Sequence, residues 1–232
     1  MASSLGSNLS FFTSSSSTTK LQKTRRNVTI RCGPRDNRGP IQKGRILSIE
    51  AIQAIQALKR AKSDETKLAT LISKTLTRLV KNDLIASLNE LLRQNQCDLA
   101  LKVFSTVRSE LWYKTDWSLY ANMVSGLARN GMSEDINRLM LDLEEEGLVK
   151  NDSNGISRLL KALIAAEMNE CVVRIYGIMK KGGWECKDEK DEYVVKVLNR
   201  GLRRLGEEEV ADEVQKEYGS LCEGKLVKPV VL

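Results

Sequence analysis

Residue types that carry out catalysis are scarce in this chain of 232 residues. It contains no histidine, which removes imidazole acid–base chemistry and mixed histidine–cysteine zinc sites. Its five cysteines, an odd number, include no Cys-x-x-Cys pair, so they indicate neither a zinc site nor a disulfide framework. No Gly-x-x-x-x-Gly-Lys-Ser/Thr loop and no zinc-deaminase signature occurs. We therefore expect a protein that is not an enzyme and that uses no metal or cofactor.

Apolar residues recur along the chain with a period of 36 residues, as Leu91, Leu127 and Leu163 do. A fourth copy, around Leu202, follows after three extra residues. Within a copy the apolar residues are spaced by three and four, which indicates helices rather than strands. Self-similarity at such a period is typical of a solenoid. Further aligned sets are Leu88, Val124 and Leu160; Ala100, Ile136 and Val172; Phe104, Met140 and Tyr176; and Val107, Leu143 and Met179.

Residues 117–152 resemble a pentatricopeptide repeat. The run from Tyr120 to Gly131 matches its first helix, and the run from Leu139 to Gly147 matches its second. The rival tetratricopeptide repeat has a shorter period and needs a small residue where this chain has Leu143. The resemblance covers about four repeats, roughly 81–218. It implies an all-α, right-handed α-solenoid of helix-turn-helix repeats, similar to the short plant members of this family.

The resemblance also implies which residues read RNA bases. In the family each repeat reads one base with the fifth residue of its first helix and with its last residue. Only Ser157 with Asp191 matches a base-reading pair, one that favours a purine, while Asn122 lies one place late. An alternative role for the aspartates is helix capping, since each of them is expected to precede a helix. The fifth positions are Ile85, Ala121, Ser157 and Lys196, and the last positions are Asp116, Asp152 and Asp191.

A third set of positions follows each aligned leucine by two residues. Arg93, Arg129 and Arg204 occupy it, and Ala165 interrupts the series. In the family this position often carries a lysine that contacts phosphate, so the three arginines are expected to line one ridge of the inner face. The alternative is that they are scattered surface arginines. The three tryptophans, Trp112, Trp117 and Trp184, are expected to pack between repeats rather than to stack on bases.

The first 31 residues have the composition of a chloroplast transit peptide. Eight of the first twenty residues are serine, five basic residues lie within 1–31, and no acidic residue precedes Asp36. A disordered tail and mitochondrial import are the alternatives. We expect a linker over 32–44, an N-terminal helical pair over 45–80 that is a cap or a degenerate repeat, the repeat array over 81–218, and a flexible tail over 219–232. No apolar run is long enough to span a membrane.

Charge is distributed unevenly along the chain, which carries +7 overall. Removing 1–31 leaves +2, divided as +7 for 32–115 and −5 for 116–232. By this measure a nucleic acid should prefer the N-terminal part. The favoured function, implied by the resemblance, is a stromal chloroplast protein that binds single-stranded, intron-containing plastid RNA and promotes group II intron splicing. A homodimer on RNA and other splicing factors are candidate partners. The alternative is a protein-interaction adaptor for assembly of a plastid complex.

Overall fold

Ten α-helices arranged as consecutive antiparallel pairs make up most of the computed structural model, which describes residues 40–42, 45–147 and 152–219. The predicted helical-repeat solenoid is confirmed over these residues. The helices are α1 (Ile49–Ala61), α2 (Glu65–Thr75), α3 (Lys81–Arg93), α4 (Cys97–Ser109), α5 (Trp117–Arg129), α6 (Ser133–Glu146), α7 (Ser153–Ala165), α8 (Asn169–Lys181), α9 (Glu189–Arg204) and α10 (Glu208–Val214).

Shorter elements accompany these helices. Two short antiparallel strands, β1 (Pro40–Gln42) and β2 (Arg45–Ile46), precede α1, with Pro40 opposite Ile46. The sequence did not predict these strands. A 3₁₀ turn (Leu76–Arg78) follows α2, and a π turn (Gln215–Gly219) follows α10. The predicted transit peptide lies outside the described residues, as do most of the predicted linker and nearly all of the predicted tail, so those domain boundaries stay predictions.

The odd-numbered helices stack on one another in chain order, α1 on α3, α3 on α5, α5 on α7 and α7 on α9. The even-numbered helices pack mainly against the odd-numbered helix of their own or the next pair. We call the closely stacked odd-numbered helices the inner layer and the even-numbered helices the outer layer. The aligned apolar residues form one buried core between the layers. In the fourth copy the position that aligns with Tyr176 holds Gln215, which is polar and exposed. The repeat register therefore predicted the core.

Glycines allow the inner-layer helices to approach closely. A Cβ added to Gly126 of α5 would lie 2.7 Å from Leu92 Cδ2 of α3, and one added to Gly201 of α9 would lie 2.1 Å from Ile164 Cδ1 of α7. Gly126 is the glycine of the repeat motif in the run Tyr120 to Gly131. Its physical role is to leave room for the preceding inner helix, because interiors are packed too densely to accept an extra methyl group without displacement.

Most of the residues that are expected to end or cap a helix do so, and one does not. Gly147 ends α6 with a φ of 79°, a conformation that glycine adopts without strain. Asp116 and Asp152 cap α5 and α7 through backbone N–H groups of the first turn. Asp191, in contrast, does not precede its helix. Helix α9 has 16 residues where α5 and α7 have 13, so the three extra residues extend α9 at its start and place Asp191 inside the first turn.

Candidate nucleic-acid interface

The predicted phosphate-contacting positions all fall at the same structural point. Arg93, Arg129, Ala165 and Arg204 are the last residues of α3, α5, α7 and α9. Because these helices stack in order, the four positions form a row along one edge of the inner layer. A cation at a helix C-terminus is also favoured by the partial negative charge of the last carbonyl groups. The row is therefore compatible with a phosphate ridge and with local helix stabilisation.

The three arginines of the row differ in whether other groups of the protein already bind their guanidinium groups. Arg93 Nε donates to Glu90 Oε2 at 2.9 Å, and its Nη2 also contacts this glutamate, which is buried. Hydrogen bonding to Glu90 raises the pKa of the Arg93 guanidinium. Arg129 Nη2 donates to the carbonyl oxygen of Leu92 at 3.4 Å, so this side chain reaches back to the preceding inner helix. Arg204 is exposed and lines a groove between α7 and α9.

The three aspartates in the last position are engaged by backbone groups. Asp116 accepts from the backbone N–H groups of Ser118 and Leu119 at 2.9 and 3.1 Å. Asp152 accepts from Gly155 N at 2.8 Å. These two carboxylates therefore act as helix caps, the alternative considered from the sequence.

Asp191 is buried, and its surroundings differ from those of the other two aspartates. It accepts from the backbone N–H groups of Lys187 and Asp188 at 2.8 and 3.2 Å and from the Ser153 hydroxyl. It completes a capping box with Asp188, which is the N-cap of α9. The expectation that each of the three aspartates precedes a helix is wrong for Asp191, because α9 starts three residues earlier than the register implied.

The fifth positions offer little to a base. Ala121 is buried and has no polar side-chain group. Ser157 is also buried and donates its hydroxyl hydrogen to the carbonyl oxygen of Asn154 at 2.9 Å. The hydroxyl that contacts Asp191 is that of Ser153, not of Ser157. Lys196 is exposed and pairs with Glu192 one turn before it on α9. The role of Ser157 and Asp191 as a base-reading pair stays a prediction.

Asn122 belongs to a polar row across three inner helices. Its Nδ2 donates to Asn89 Oδ1 of α3 at 3.3 Å, and its Oδ1 accepts from Arg158 Nη2 of α7 at 3.1 Å. Arg158 and Asn89 are exposed. The row presents amide groups and a guanidinium group at the surface of the inner layer, which are groups that can bind bases and phosphates.

Several acidic residues of the second half of the chain lie on the outer layer and are paired with cations. Glu144 accepts from Lys181 Nζ at 2.8 Å and from Arg174 Nη1 at 2.9 Å, and these bonds lower the pKa of its carboxyl group. Lys180 Nζ lies 2.6 Å from Glu213 Oε1 and likewise lowers the pKa of that carboxyl group. The net charge of −5 for 116–232 therefore does not describe the inner layer.

Comparison with known proteins gives the family. No protein-family model matches the chain. It is 48% identical over 189 residues to Thylakoid Assembly 8, a chloroplastic protein of Arabidopsis thaliana, with 81% of this chain and 83% of that protein covered. It is 29% identical over 181 residues to the pentatricopeptide repeat-containing protein At1g62350 of the same plant, with 78% and 89% covered. This chain belongs to the Thylakoid Assembly 8 family of pentatricopeptide repeat proteins.

A solved structure supports the same assignment. The crystal structure of THA8 in complex with Zm4 RNA matches this chain with a TM-score of 0.68 at 32% identity, covering 78% of this chain and 99% of that chain. The pentatricopeptide resemblance of residues 117–152 thus led to the correct family. The match also extends well beyond that segment, to copies whose repeat motif is degenerate.

Some exposed groups of this pentatricopeptide repeat protein were not predicted from the sequence. Lys161 of α7 and Tyr193 and Arg200 of α9 line the same groove as Arg204 and Lys196. A signal was available, because Lys196, Arg200 and Arg204 are spaced by four and must share one face of a helix. Arg158 and Asn89 were missed because they fall outside the family's base-reading positions.

Tryptophans and thiols are mainly structural. Trp117 and Trp184 are buried, and Trp112 is partly buried with Lys81 Nζ 4.9 Å from its ring centroid, which fits packing between repeats. Cys97, Cys171 and Cys186 are buried. Burial raises the pKa of the Cys97 thiol and raises that of Cys171 to about 11, so these two thiols stay protonated. Among the described residues, no cluster of potential metal ligands and no helix long and apolar enough to cross a membrane is found.

Proposed function

We propose that this protein binds single-stranded RNA in the chloroplast and is a non-enzymatic factor that promotes splicing of group II introns in plastid transcripts. The observation that carries the proposal is the relationship to THA8, which was crystallised in complex with an RNA. The row of helix-terminal arginines and the polar row through Asn122 supply the groups that such a ligand requires. The mechanism is to hold a short RNA segment unpaired so that intron domains can fold.

Weak base specificity follows from the geometry of the inner layer. Three of the predicted base-reading groups, Asp116, Asp152 and Asp191, already accept backbone hydrogen bonds. A carboxylate that caps a helix can turn to a base only by giving up that bond, at a cost of about 0.5–2 kcal/mol. We therefore expect affinity to come mainly from phosphate contacts and stacking. In that case it depends strongly on salt and only slightly on sequence.

A salt titration tests RNA binding directly. Full-length protein is titrated against labelled oligoadenosine and oligouridine RNAs at two salt concentrations. Replacing Arg129 and Arg204 with alanine should weaken binding to both RNAs and lower the salt slope by about 1.4, near 0.7 for each phosphate that is no longer neutralised. Arg93 is kept in this variant, because its removal would leave the buried Glu90 carboxylate without its guanidinium partner.

The matched control replaces two exposed cations of the outer layer, Arg138 and Lys181, with alanine. This control loses as much positive charge as the variant without Arg129 and Arg204. Its two substituted residues lie on α6 and α8, away from the inner layer. The control should bind as the wild type does. Equal losses in both variants would mean that the inner layer is not the RNA-binding surface. Absence of salt-sensitive binding by the wild type would refute direct RNA binding.

Experiments in the plant cell test the chloroplast location of the protein and its association with intron-containing transcripts. A fluorescent reporter fused to residues 1–40 should enter plastids, and its retention in the cytosol would contradict the transit-peptide prediction. Immunoprecipitation from chloroplast stroma should recover intron-containing transcripts. Cross-linking in the same extract would report a second copy of the chain or other splicing factors as partners.

A protein-interaction adaptor is the second candidate, and one observation favours it. Leu111, in the loop between α4 and α5, is fully exposed, and Val80 before α3 is 56% exposed. Exposed apolar side chains of this size suit a protein contact. If stromal immunoprecipitation recovers proteins in a fixed ratio and no transcript, the adaptor function replaces the RNA-binding function.

A further inference from the structure

Two neighbouring loops at one edge of the solenoid expose aliphatic side chains. Val80, just before α3, is 56% exposed, and Leu111, in the loop between α4 and α5, is fully exposed. The two loops adjoin, because Lys81 Nζ lies 4.9 Å from the ring centroid of Trp112. We call Val80, Leu111 and Trp112 the loop patch. Exposed apolar side chains grouped around a tryptophan are typical of a contact with another molecule.

The loop that carries Leu111 has a fixed conformation. The carbonyl oxygen of Glu110 accepts from the backbone N–H of Tyr113 at 3.0 Å, so 110–113 form a turn with Leu111 and Trp112 at its centre. Trp112 and Tyr113 also pack against the core. A side chain presented by such an anchored turn loses little conformational freedom when it binds a partner.

In the other copies, the two aliphatic positions hold residues that serve the fold. Val80 aligns with Asp116 and Asp152, whose side chains cap α5 and α7. Val80 stands at the N-cap of α3 and makes no side-chain hydrogen bond there. Leu111 aligns with Gly147, which ends α6. Valine is a poor N-cap residue, so its presence at this exposed position points to a role other than stabilising α3.

Exposed cations border the loop patch. Arg78, Lys81 and Lys114 lie within three residues of Val80 or Leu111 and are exposed. No carboxylate of the described residues forms an ion pair with any of these three cations. The patch therefore combines an apolar centre with a positive rim. It is complementary to a surface that has apolar side chains at its centre and acidic side chains around them.

A protein is the occupant that this chemistry favours. Valine and leucine side chains neither stack on a base as an aromatic ring does nor hydrogen-bond to it, so they add little to RNA binding. Two aliphatic side chains are also a weak membrane anchor, since even a single myristoyl chain binds a bilayer only marginally. A protein surface, in contrast, can bury them among its own apolar side chains.

The loop patch lies at the other end of the inner helices from the row of arginines. Val80 and Leu111 precede α3 and α5, whereas Arg93 and Arg129 are the last residues of these helices. A helix of this length spans about 20 Å, which exceeds two Debye lengths of about 8 Å at physiological salt. RNA at the row of arginines therefore leaves the loop patch free.

We propose that the loop patch docks a protein partner through a segment in which acidic side chains flank apolar ones. The apolar side chains of the segment cover Val80, Leu111 and Trp112, and its carboxylates pair with the three bordering cations. The inference goes beyond RNA binding and does not depend on it. It also gives the second candidate function, that of an adaptor, a contact surface.

A double variant, Val80→Ser with Leu111→Ser, tests the contact without weakening the fold. Serine is a favoured N-cap residue, so the urea midpoint of the variant should equal or exceed that of the wild type. The probes are a labelled 14-residue amphipathic peptide of leucine and glutamate and its counterpart with lysine in place of glutamate. Full-length wild type should bind the glutamate peptide at least about tenfold more tightly than the lysine peptide. The double variant should lose on the order of tenfold in affinity for the glutamate peptide.

Three results of this titration would overturn the inference: no binding of the glutamate peptide, equal binding of both peptides, or undiminished binding by the double variant. Vesicles of phosphatidylglycerol and phosphatidylcholine test the bilayer. If the double substitution removes vesicle binding and leaves peptide binding intact, the patch is a membrane contact and the inference fails.

Reciprocal variants separate this inference from the proposed function. The double variant should bind oligouridine RNA as the wild type does, and the variant without Arg129 and Arg204 should bind the glutamate peptide as the wild type does. If the double variant loses RNA binding, the patch belongs to the RNA site and the inference fails. If the wild type binds the peptide and no RNA, the proposed function fails and the inference stands.

Site-specific cross-linking tests the surface with natural partners. Leu111→p-benzoylphenylalanine protein is irradiated in chloroplast stroma treated with ribonuclease, and the cross-linked segment is sequenced by mass spectrometry. The segment should be rich in acidic and apolar residues, and a synthetic peptide of that sequence should bind the wild type more tightly than the double variant. The matched control places the same cross-linker at Leu141 of α6, which is 48% exposed. The same products at both positions, or a basic segment at Leu111, would contradict the inference.

Discussion

Replacing Gly155 with alanine should destabilise the protein, because two different constraints meet at this residue. Its backbone N–H donates to the capping carboxylate of Asp152, and an added Cβ would lie 2.0 Å from Asp152 Oδ2. The same Cβ would lie 2.8 Å from Trp117 Cβ, an atom next to the backbone of α5 that cannot rotate away. The substitution therefore disturbs the α7 cap and forces α5 and α7 apart.

The magnitude follows from three contributions. Loss of the cap costs about 0.5–2 kcal/mol, and overpacking a dense contact costs about 1–3 kcal/mol. The gain of alanine over glycine in a helix offsets about 0.5–1 kcal/mol of this. The net loss of unfolding free energy should be about 0.5–4.5 kcal/mol. Asp152→Ala removes only the cap, so the difference between Asp152→Ala and Gly155→Ala measures the α5–α7 contact.

Gly177 supplies the matched control. It lies inside α8, and a Cβ there would meet nothing within 4 Å. Gly177→Ala should raise the unfolding free energy by about 0.5–1 kcal/mol. Urea unfolding followed by circular dichroism at 222 nm gives the midpoints of all four proteins. A Gly155→Ala midpoint at or above that of the wild type would refute the close-approach argument, as would equal destabilisation by Gly177→Ala.

Three further outcomes are expected. Asp116→Ala should lower the unfolding free energy by about 0.5–2 kcal/mol in urea titrations, because it removes the cap of α5, whereas Asp116→Asn should largely restore it. Cys171 should resist iodoacetamide in the native state and react once urea unfolds the chain, since burial raises its thiol pKa to about 11; rapid native labelling would contradict its burial. Hydrogen bonds from Lys67 and Thr66 lower the pKa of Asp64 to about 2. Because the folded-state pKa is below the unfolded one, the contribution of Asp64 is present above about pH 4 and lost as the pH falls toward 2; the difference in urea midpoint between the wild type and Asp64→Ala should shrink over that window.

The core could be predicted from the sequence because the same apolar positions are packed in every repeat. Leu88, Val124 and Leu160 are each fully buried, as their common register requires. Each additional copy repeats the same apolar pattern, so a wrong assignment of one copy does not change the alignment of the others. A spacing of three between apolar residues, as in α1, predicts burial less reliably. Ile49 is 40% exposed although it shares a spacing of three with Ile55, because a spacing of three drifts around a helix with 3.6 residues per turn.

The polar positions could not be predicted equally well, because they depend on where each helix begins. Asp116 and Asp152, the last residues of the first and second repeats, each precede a helix of 13 residues and cap it. In the fourth repeat the helix has 16 residues, and the same register places Asp191 inside the first turn, bonded to Ser153. Apolar alignment fixes the end of α9 through Leu202 but carries no information on its start. That start decides whether a carboxylate faces a ligand or a backbone amide.

Charge summed along the chain does not describe the charge of one helix layer, for a geometrical reason. A two-layer repeat alternates inner and outer helices, so any segment of one repeat or more adds the charges of both layers. The carboxylates of Glu144 and Glu213 lie on the outer layer and are already paired with lysine and arginine. Helix layers are separated by about 8–10 Å, which is about one Debye length at physiological salt. A phosphate on the inner layer therefore senses Arg200 and Arg204 much more strongly than these paired carboxylates. The preference of a nucleic acid for the N-terminal part stays a prediction. Counting charge along each helix face, rather than along the chain, gives α9 a cationic face at Lys196, Arg200 and Arg204, although the segment that contains α9 is acidic.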